Sequence, residues 1–195
     1  MLCKHRKVPR AVDHDTRREE LCDIVVDLAA RDGFTAVTIR AIAAASGSST
    51  SSITHYVTSR DELIALAVRR EISRHQGRIG SARQGDGIEA LRTIASAAVL
   101  GTTERDQRLW MAIVTGSVHD PVLARELDAF NRWWDEIAAE TLGAIGLSPE
   151  VAADFADMAD VIVAGLITAT FESPTHWTPE RRERTLHTLF DAIAP

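Results

Sequence analysis

Apolar residues recur along this chain at intervals of three and four, the spacing of helices that bury one face. Leu21, Ile24, Val25 and Leu28 set the first stripe, which stops at Gly33. Thr16 and Glu19 stand at the spacing of a capping box, so the first helix is expected to open at Thr16. A shorter stripe follows in Ile39, Ile42 and Ala43. Ser46-Gly47 breaks it, because glycine supplies the positive φ of a tight inter-helix turn. Ser49 or Thr50 caps the next short helix, which turns Ile53 and Tyr56 inward and leaves Thr50, Ser51, Thr54 and His55 outward. Ser59 and Glu62 form a second capping box ahead of a helix over about 60–75, with Leu63, Ile64, Ala67, Val68 and Ile72 buried. Residues 76–87 hold four glycines and few large apolar groups, and read as a hinge or a loose inter-helix loop.

Five more helical segments are expected: 88 to about 100, one through Leu109, Trp110, Ile113 and Val114, and three that open at Pro121, Pro149 and Pro179. Asp120, Ser148 and Thr178 each precede one of these prolines, a capping residue followed by proline at the first helical position. Strand-like alternation is absent from the sequence. The expected fold class is all-α with about nine helices. Its expected organisation is a flexible basic arm over 1–15, a three-helix helix-turn-helix unit over 16–58, a connecting helix over 59–75 and a larger helical domain over 76–195.

Charge changes the picture at the N-terminus. The whole chain carries −6, but residues 1–70 carry +2 and residues 71–195 carry −8. Lys4, Arg6, Lys7, Arg10, Arg17 and Arg18 crowd the start, which suits a polyanion reader on an acidic body. An outward helix face of small hydroxyls and a histidine, rather than Glu and Lys, fits a DNA groove better than bulk water. The two cysteines, Cys3 and Cys22, lack metal-ligand spacing and suggest a reduced, cytoplasmic setting. The longest strongly apolar run, 161–171, is too short to cross a bilayer, so no membrane partner is expected. His-x-x-x-His pairs and phosphate-binding glycine loops are missing, so neither an enzyme, a metal site nor a cofactor is expected. Asp154, Asp157 and Asp160 share one helix face and read as a solvated acidic stripe.

Gly33-Phe34, then Thr38-Ile39-Arg40 with Ile42-Ala43 and Gly47, then Ile53, His55-Tyr56, Ser59 and Leu63 follow in a fixed order. Over about residues 17–66 this order resembles the TetR family of bacterial transcriptional regulators. The resemblance implies that the second short helix enters the major groove of operator DNA. It implies that Thr50, Ser51, Thr54 and His55 face the groove and that Thr38, Arg40, Tyr56 and Arg60 meet the phosphate backbone; Ser49 is counted with the DNA-binding residues, and Arg17 and Arg18, at the positive end of the first helix, are expected to face phosphate. The chain departs from the family pattern at Ser51, usually glycine, at Thr54, often aromatic, and at Val57, often phenylalanine. Those departures lie where bases are read.

The same resemblance implies a C-terminal domain that binds a small-molecule effector and forms a homodimer. The helix over 151–171 is apolar almost all round from Val161 to Ala169, and such a helix needs cover on every side. A partner subunit is expected to supply it through Val161, Ala164, Gly165 and Ala169, with Leu186, Leu189, Phe190 and Ile193 of the last helix. Trp110, Met111, Val114, Trp133, Trp134, Phe155, Met158, Phe171 and Trp177 are the candidates for an effector pocket. The arrangement over 107–140 is similar to regulators of choline and betaine genes, which implies an aromatic cage for a quaternary ammonium ion. The expected function is a dimeric repressor released from a palindromic operator by its effector, with the fourth helix as the lever. An activator on the same fold, or a helical protein-interaction module, are the alternatives.

Overall fold

A computed structural model describes residues 14–83, 85, 87–143 and 148–193; the basic arm over 1–13 lies outside it. The described residues form nine α-helices and one 3-10 turn, with no strand among them. The helices are α1 (His14–Asp32), α2 (Ile39–Ala45), α3 (Thr50–Thr54), α4 (Arg60–Ala82), α5 (Gly87–Leu100), α6 (Glu104–Ser117), α7 (Pro121–Gly143), α8 (Pro149–Glu172) and α9 (Pro179–Ile193), with the 3-10 turn at Phe34–Ala36. None is long and apolar enough to cross a membrane.

Start signals explain most of these boundaries. Thr38 caps α2 by accepting from Ala41 N at 3.1 Å, and Ser49 caps α3 by accepting from Ser52 N at 3.1 Å. Gly47 takes φ 63° in the turn between them, a region where a side chain would be strained. Asp120, Ser148 and Thr178 accept from the first turns of α7, α8 and α9. Thr103 and Asp106 make a full capping box on α6 that the sequence reading missed.

Three expectations are corrected. Thr16 lies inside α1, which already includes His14 and Asp15, so the Thr16–Glu19 box does not start that helix. Ser59 does accept from Glu62 N at 3.0 Å, but Glu62 reaches back to Thr58, accepting its N–H and hydroxyl. Most importantly, α4 continues through Gly77 and Gly80 to Ala82, where a hinge or loop was expected. Both glycines are exposed, while His75 and Ile79 continue the inward stripe of Val68 and Ile72. Inward packing of those two side chains offsets the helix-breaking cost of about 1 kcal/mol per glycine.

Two apolar cores result. The first joins Leu21 and Val25 of α1 with Ile42, Ile53, Leu63, Ile64 and Val68, and extends into Leu109, Ile113, Leu123 and Phe130 of α6 and α7. The second is built from Ile79, Leu91, Ile94, Trp134, Leu142, Val163, Ile167, Leu186 and Phe190. Helix α4 contributes to both cores. Polar ties fix its N-terminal half: Arg18 of α1 pairs with Glu62 at 2.9 Å, Arg70 pairs with Asp23, and Arg69 holds the buried Glu126 of α7 through two bonds of 2.9 and 2.6 Å. That last pair keeps the Glu126 carboxyl below the usual range.

Helix α8 departs from the all-round burial expected of it. Ala152, Ala156, Ala159, Val163, Leu166 and Ile167 face the core, but Val161 is 70% exposed and Met158 46%. Ala164 and Gly165 are exposed and Ala169 half-buried. On α9 the expectation of an outward apolar face is corrected. Leu186 and Phe190 are wholly buried in the second core, Leu189 is half-buried, and the side chain of Ile193 lies outside the described residues.

Candidate nucleic-acid interface and effector cavity

The α2–α3 unit presents a continuous polar face. Thr38, Arg40, Thr50, Ser51, Thr54 and His55 are all exposed. Ile42 and Ile53, fully buried behind them, fix the two helices against α1 and α4. Thr38 spends an acceptor on its cap, which leaves its hydroxyl proton free to donate to a phosphate. Arg40 makes no hydrogen bond or ion pair among the described residues. Thr54 donates to Ser51 O at 3.1 Å, so its hydroxyl oxygen and methyl remain to face a base. His55, Tyr56 and His14 form a ring cluster, with His14 4.9 Å and His55 5.4 Å from the tyrosine ring. It ties the end of α3 to the start of α1.

Four of the expected DNA contacts are committed inside the chain. Arg60 donates to Val37 O at 2.6 Å and Phe34 O at 2.8 Å, and stands 3.6 Å from Asp120 of α7. It braces the helix-turn-helix unit, α4 and the α6–α7 turn, and these bonds occupy the guanidinium expected to meet phosphate. Arg18 is held by Glu62. Arg17 bridges Glu20 and Ser48, so it secures the turn ahead of α3. Ser49 is occupied by its capping bond and by the Ser51 hydroxyl at 2.9 Å.

Between the two cores lie two adjoining cavities of about 40 Å³ each, which share His75, Ala98, Trp110 and Ile167. One is aromatic, with His75, Trp110, Phe130 and Trp134 around it and Asp160 of α8 at its edge. Trp110 and Phe130 meet edge to face at 4.8 Å, and the His75 ring stands 6.1 and 5.9 Å from them. The other is polar, lined by Glu71, Arg78, Thr102, Asp106 and Gln107 with apolar neighbours.

Of the expected pocket residues, Trp110 and Trp134 line these cavities. Met111, Val114, Trp133, Phe155, Met158, Phe171 and Trp177 do not. Trp133 packs beside Phe130 at 5.6 Å, Met111 meets Thr168 of α8, and Trp177 lies under Arg181. His75, Phe130 and Asp160 were missed as cavity residues; Asp154, Asp157 and Asp160 are all exposed, as a solvated stripe requires, and Asp160 also stands at the cavity edge.

Electrostatics separate the two titratable walls. Burial, reinforced by Arg78, pushes His75 down to about 4, so its imidazole is neutral at neutral pH. Partial burial and the nearby Asp135 and Asp157 raise the Asp160 carboxyl. Asp160 has no basic partner among the described residues, and no group there clusters as a metal site.

Residues 87–195, more than half of the chain, match the family described as BetI-type transcriptional repressor, C-terminal. Residues 26–67 match the bacterial regulatory proteins of the tetR family. The chain belongs to the TetR family. A BetI 1 regulator from Chromohalobacter salexigens is 28% identical over 132 residues, a stretch that spans 65% of each chain. A transcriptional regulator from Rhodococcus sp. Rha1 shares the fold with a TM-score of 0.79 at 24% identity, covering 90% of this chain and 95% of its own. A protein from Saccharomonospora viridis, solved in complex with choline, has a TM-score of 0.77 at 22% identity, covering 92% of this chain and 97% of its own.

As a TetR-family regulator the chain carries its DNA-binding helix-turn-helix at the N-terminus, and two arginines there have opposite duties. Arg40→Ala should weaken DNA binding uniformly across sequences and lower the salt slope of log K by about 1, with the melting temperature unchanged. Arg60→Ala should instead cost about 2 kcal/mol of stability, because two backbone carbonyls lose a charged donor. Anisotropy titrations at several salt concentrations, alongside urea unfolding, separate the two outcomes.

His75 gives a pH signature. Its folded value lies below its unfolded one, so the unfolded chain takes up the proton first, and stability falls as pH drops from about 6.5 toward 4. Between pH 7 and 5, before the carboxylates titrate, the loss should be about 2 kcal/mol. His75→Phe should abolish that loss in urea unfolding, and an equal loss in both proteins would contradict the assignment.

Proposed function

We propose that this regulator is a homodimeric repressor, released from a palindromic operator by an organic cation of the quaternary ammonium class. One observation carries the effector class: an unpaired carboxylate, Asp160, shares a cavity with Trp110, Phe130 and Trp134. Aromatic faces attract a weakly hydrated cation that loses its water at little cost, and a carboxylate raised by burial and like charges gains from one. The BetI-type match and the choline complex of a protein of the same fold agree with this chemistry.

Release follows from size. Small-molecule pockets enclose roughly 300–1,000 Å³, against about 40 Å³ in the aromatic cavity. An effector therefore fits only by parting α4 from α6, α7 and α8. Because α4 also carries the first core, such parting re-aims the helix-turn-helix unit and changes the spacing of the two half-sites. The exposed stripe of Met158, Val161 and Gly165 on α8 supports pairing of two copies, which a palindromic operator requires.

Calorimetric titration with choline tests the effector reading. The wild-type protein should bind it, and Asp160→Asn, nearly isosteric, should weaken binding by roughly tenfold or more through loss of a charged partner. Equal affinity in both proteins, or no binding of any trimethylammonium ion, would reject the cation site.

A further inference from the structure

The hydroxyl protons on the outward face of α3 are not equally free. Thr54 Oγ1 donates its proton to Ser51 O at 3.1 Å. That carbonyl belongs to the last turn of a five-residue helix, where the backbone ladder leaves carbonyls short of partners. The bond therefore satisfies a group that a DNA groove would strip of water. A hydroxyl has a single proton. With that proton turned inward, Thr54 meets whatever lies in front of it as an acceptor only. The serines behave differently. Ser49 and Ser51 share one bond of 2.9 Å, while Ser49 Oγ also accepts from Ser52 N, so one of the two serine protons stays free whichever of them donates. Thr50, exposed at the start of the helix, makes no side-chain bond among the described residues, and its hydroxyl turns to suit donor or acceptor alike. Val57 is buried in the first core and faces no base. Thr54 is the exposed hydroxyl of α3 whose polarity the fold fixes.

Bases differ in what they offer an acceptor. In the major groove adenine N6 and cytosine N4 present amino protons, whereas guanine O6 and N7 and thymine O4 present lone pairs. Every base pair holds one amino base and one keto base. An acceptor-only side chain therefore distinguishes the two orientations of a pair rather than its composition. We propose that Thr54 determines specificity at one position of each half-site: it requires an amino base, adenine or cytosine, on the strand it faces. Guanine or thymine there would set two acceptors against each other in a contact that excludes water. The family often carries an aromatic side chain at this position, so the rule belongs to this chain. It rests on α3 lying in the major groove and adds the chemistry of one base.

The test selects bound duplexes from a randomised pool with the full-length protein and sequences them. Thr54→Val is nearly isosteric and keeps a methyl, but removes the acceptor. It should bring the four bases to within about twofold of one another at a single position of the half-site, where the wild-type protein holds adenine or cytosine, and leave the other positions unchanged. Thr54→Ser keeps the hydroxyl and should retain the wild-type preference. A second measurement deletes the amino group alone from the selected duplex, with purine in place of adenine or 2-pyrimidinone in place of cytosine. In anisotropy titrations that deletion should cost the wild-type protein about five- to tenfold in affinity, the worth of one hydrogen bond, and cost Thr54→Val less than about twofold. Comparing the two proteins on the same pair of duplexes cancels the weakened base pairing. Three results would each overturn the role of Thr54 while leaving α3 in the groove: Thr54→Val altering a position that holds guanine or thymine, Thr54→Val altering none, or an amino deletion felt equally by both proteins. A wild-type protein that selects no sequence would instead reject the groove placement of α3, and this rule with it.

Discussion

Everything in this molecule hangs on α4 being one unbroken helix. Its 23 residues span about 35 Å at 1.5 Å per residue, and they enter both apolar cores. Leu63, Ile64, Ala67 and Val68 are buried with the helix-turn-helix unit, and Ile79 is buried with α5, α7, α8 and α9. A helix with an intact hydrogen-bond ladder moves as a rod, because packed interfaces shift between discrete arrangements rather than deform gradually. The Arg60 bonds to Phe34 and Val37, and the ties from Arg18 and Arg70, join the DNA-facing unit to the first turns of that rod. His75 stands on the same rod beside the aromatic cavity. The distance between the DNA-facing unit and the proposed effector cavity is therefore the length of one helix.

The arginines show how this arrangement divides labour. Arg18 and Arg60, which are half-buried, and Arg69, which is exposed but reaches the buried Glu126, act on carbonyls and carboxylates of neighbouring helices and set geometry. Arg40, uncommitted on the outer face, is left for phosphate. The same contrast appears among the carboxylates. Glu126 is buried but paired, whereas Asp160 is exposed at the edge of the aromatic cavity, with no cation beside it among the described residues. A paired buried charge is structural; a carboxylate without a partner at a cavity edge is the group the proposed cation would meet.

Much of the fold was legible in the sequence, for local reasons. Helix starts are written in one or two residues, as at Thr38, Ser49 and Ser148, and the order from Gly33 to Leu63 identified the family. The failures have physical causes too. Gly77 and Gly80 suggested a break because propensity is local, while the packing of His75 and Ile79 that overrides it comes from distant helices. Arg60 looked free to meet phosphate because its acceptors are backbone carbonyls, which sequence patterns do not display. Trp134 was found, but His75, Phe130 and Asp160 come together only through the crossing of α4, α7 and α8. The aromatic cavity is a tertiary object, and only single walls of it can be seen along the chain.

Coupling through α4 has a direct thermodynamic signature. Fluorescence anisotropy of labelled DNA from upstream of the gene for this protein should show its affinity falling by about 5- to 150-fold when choline saturates the protein. Choline affinity should fall by the same factor when that DNA is bound, since linkage is reciprocal. Choline and DNA binding independently, each affinity unchanged by the other, would contradict α4 as the link between cavity and helix-turn-helix unit.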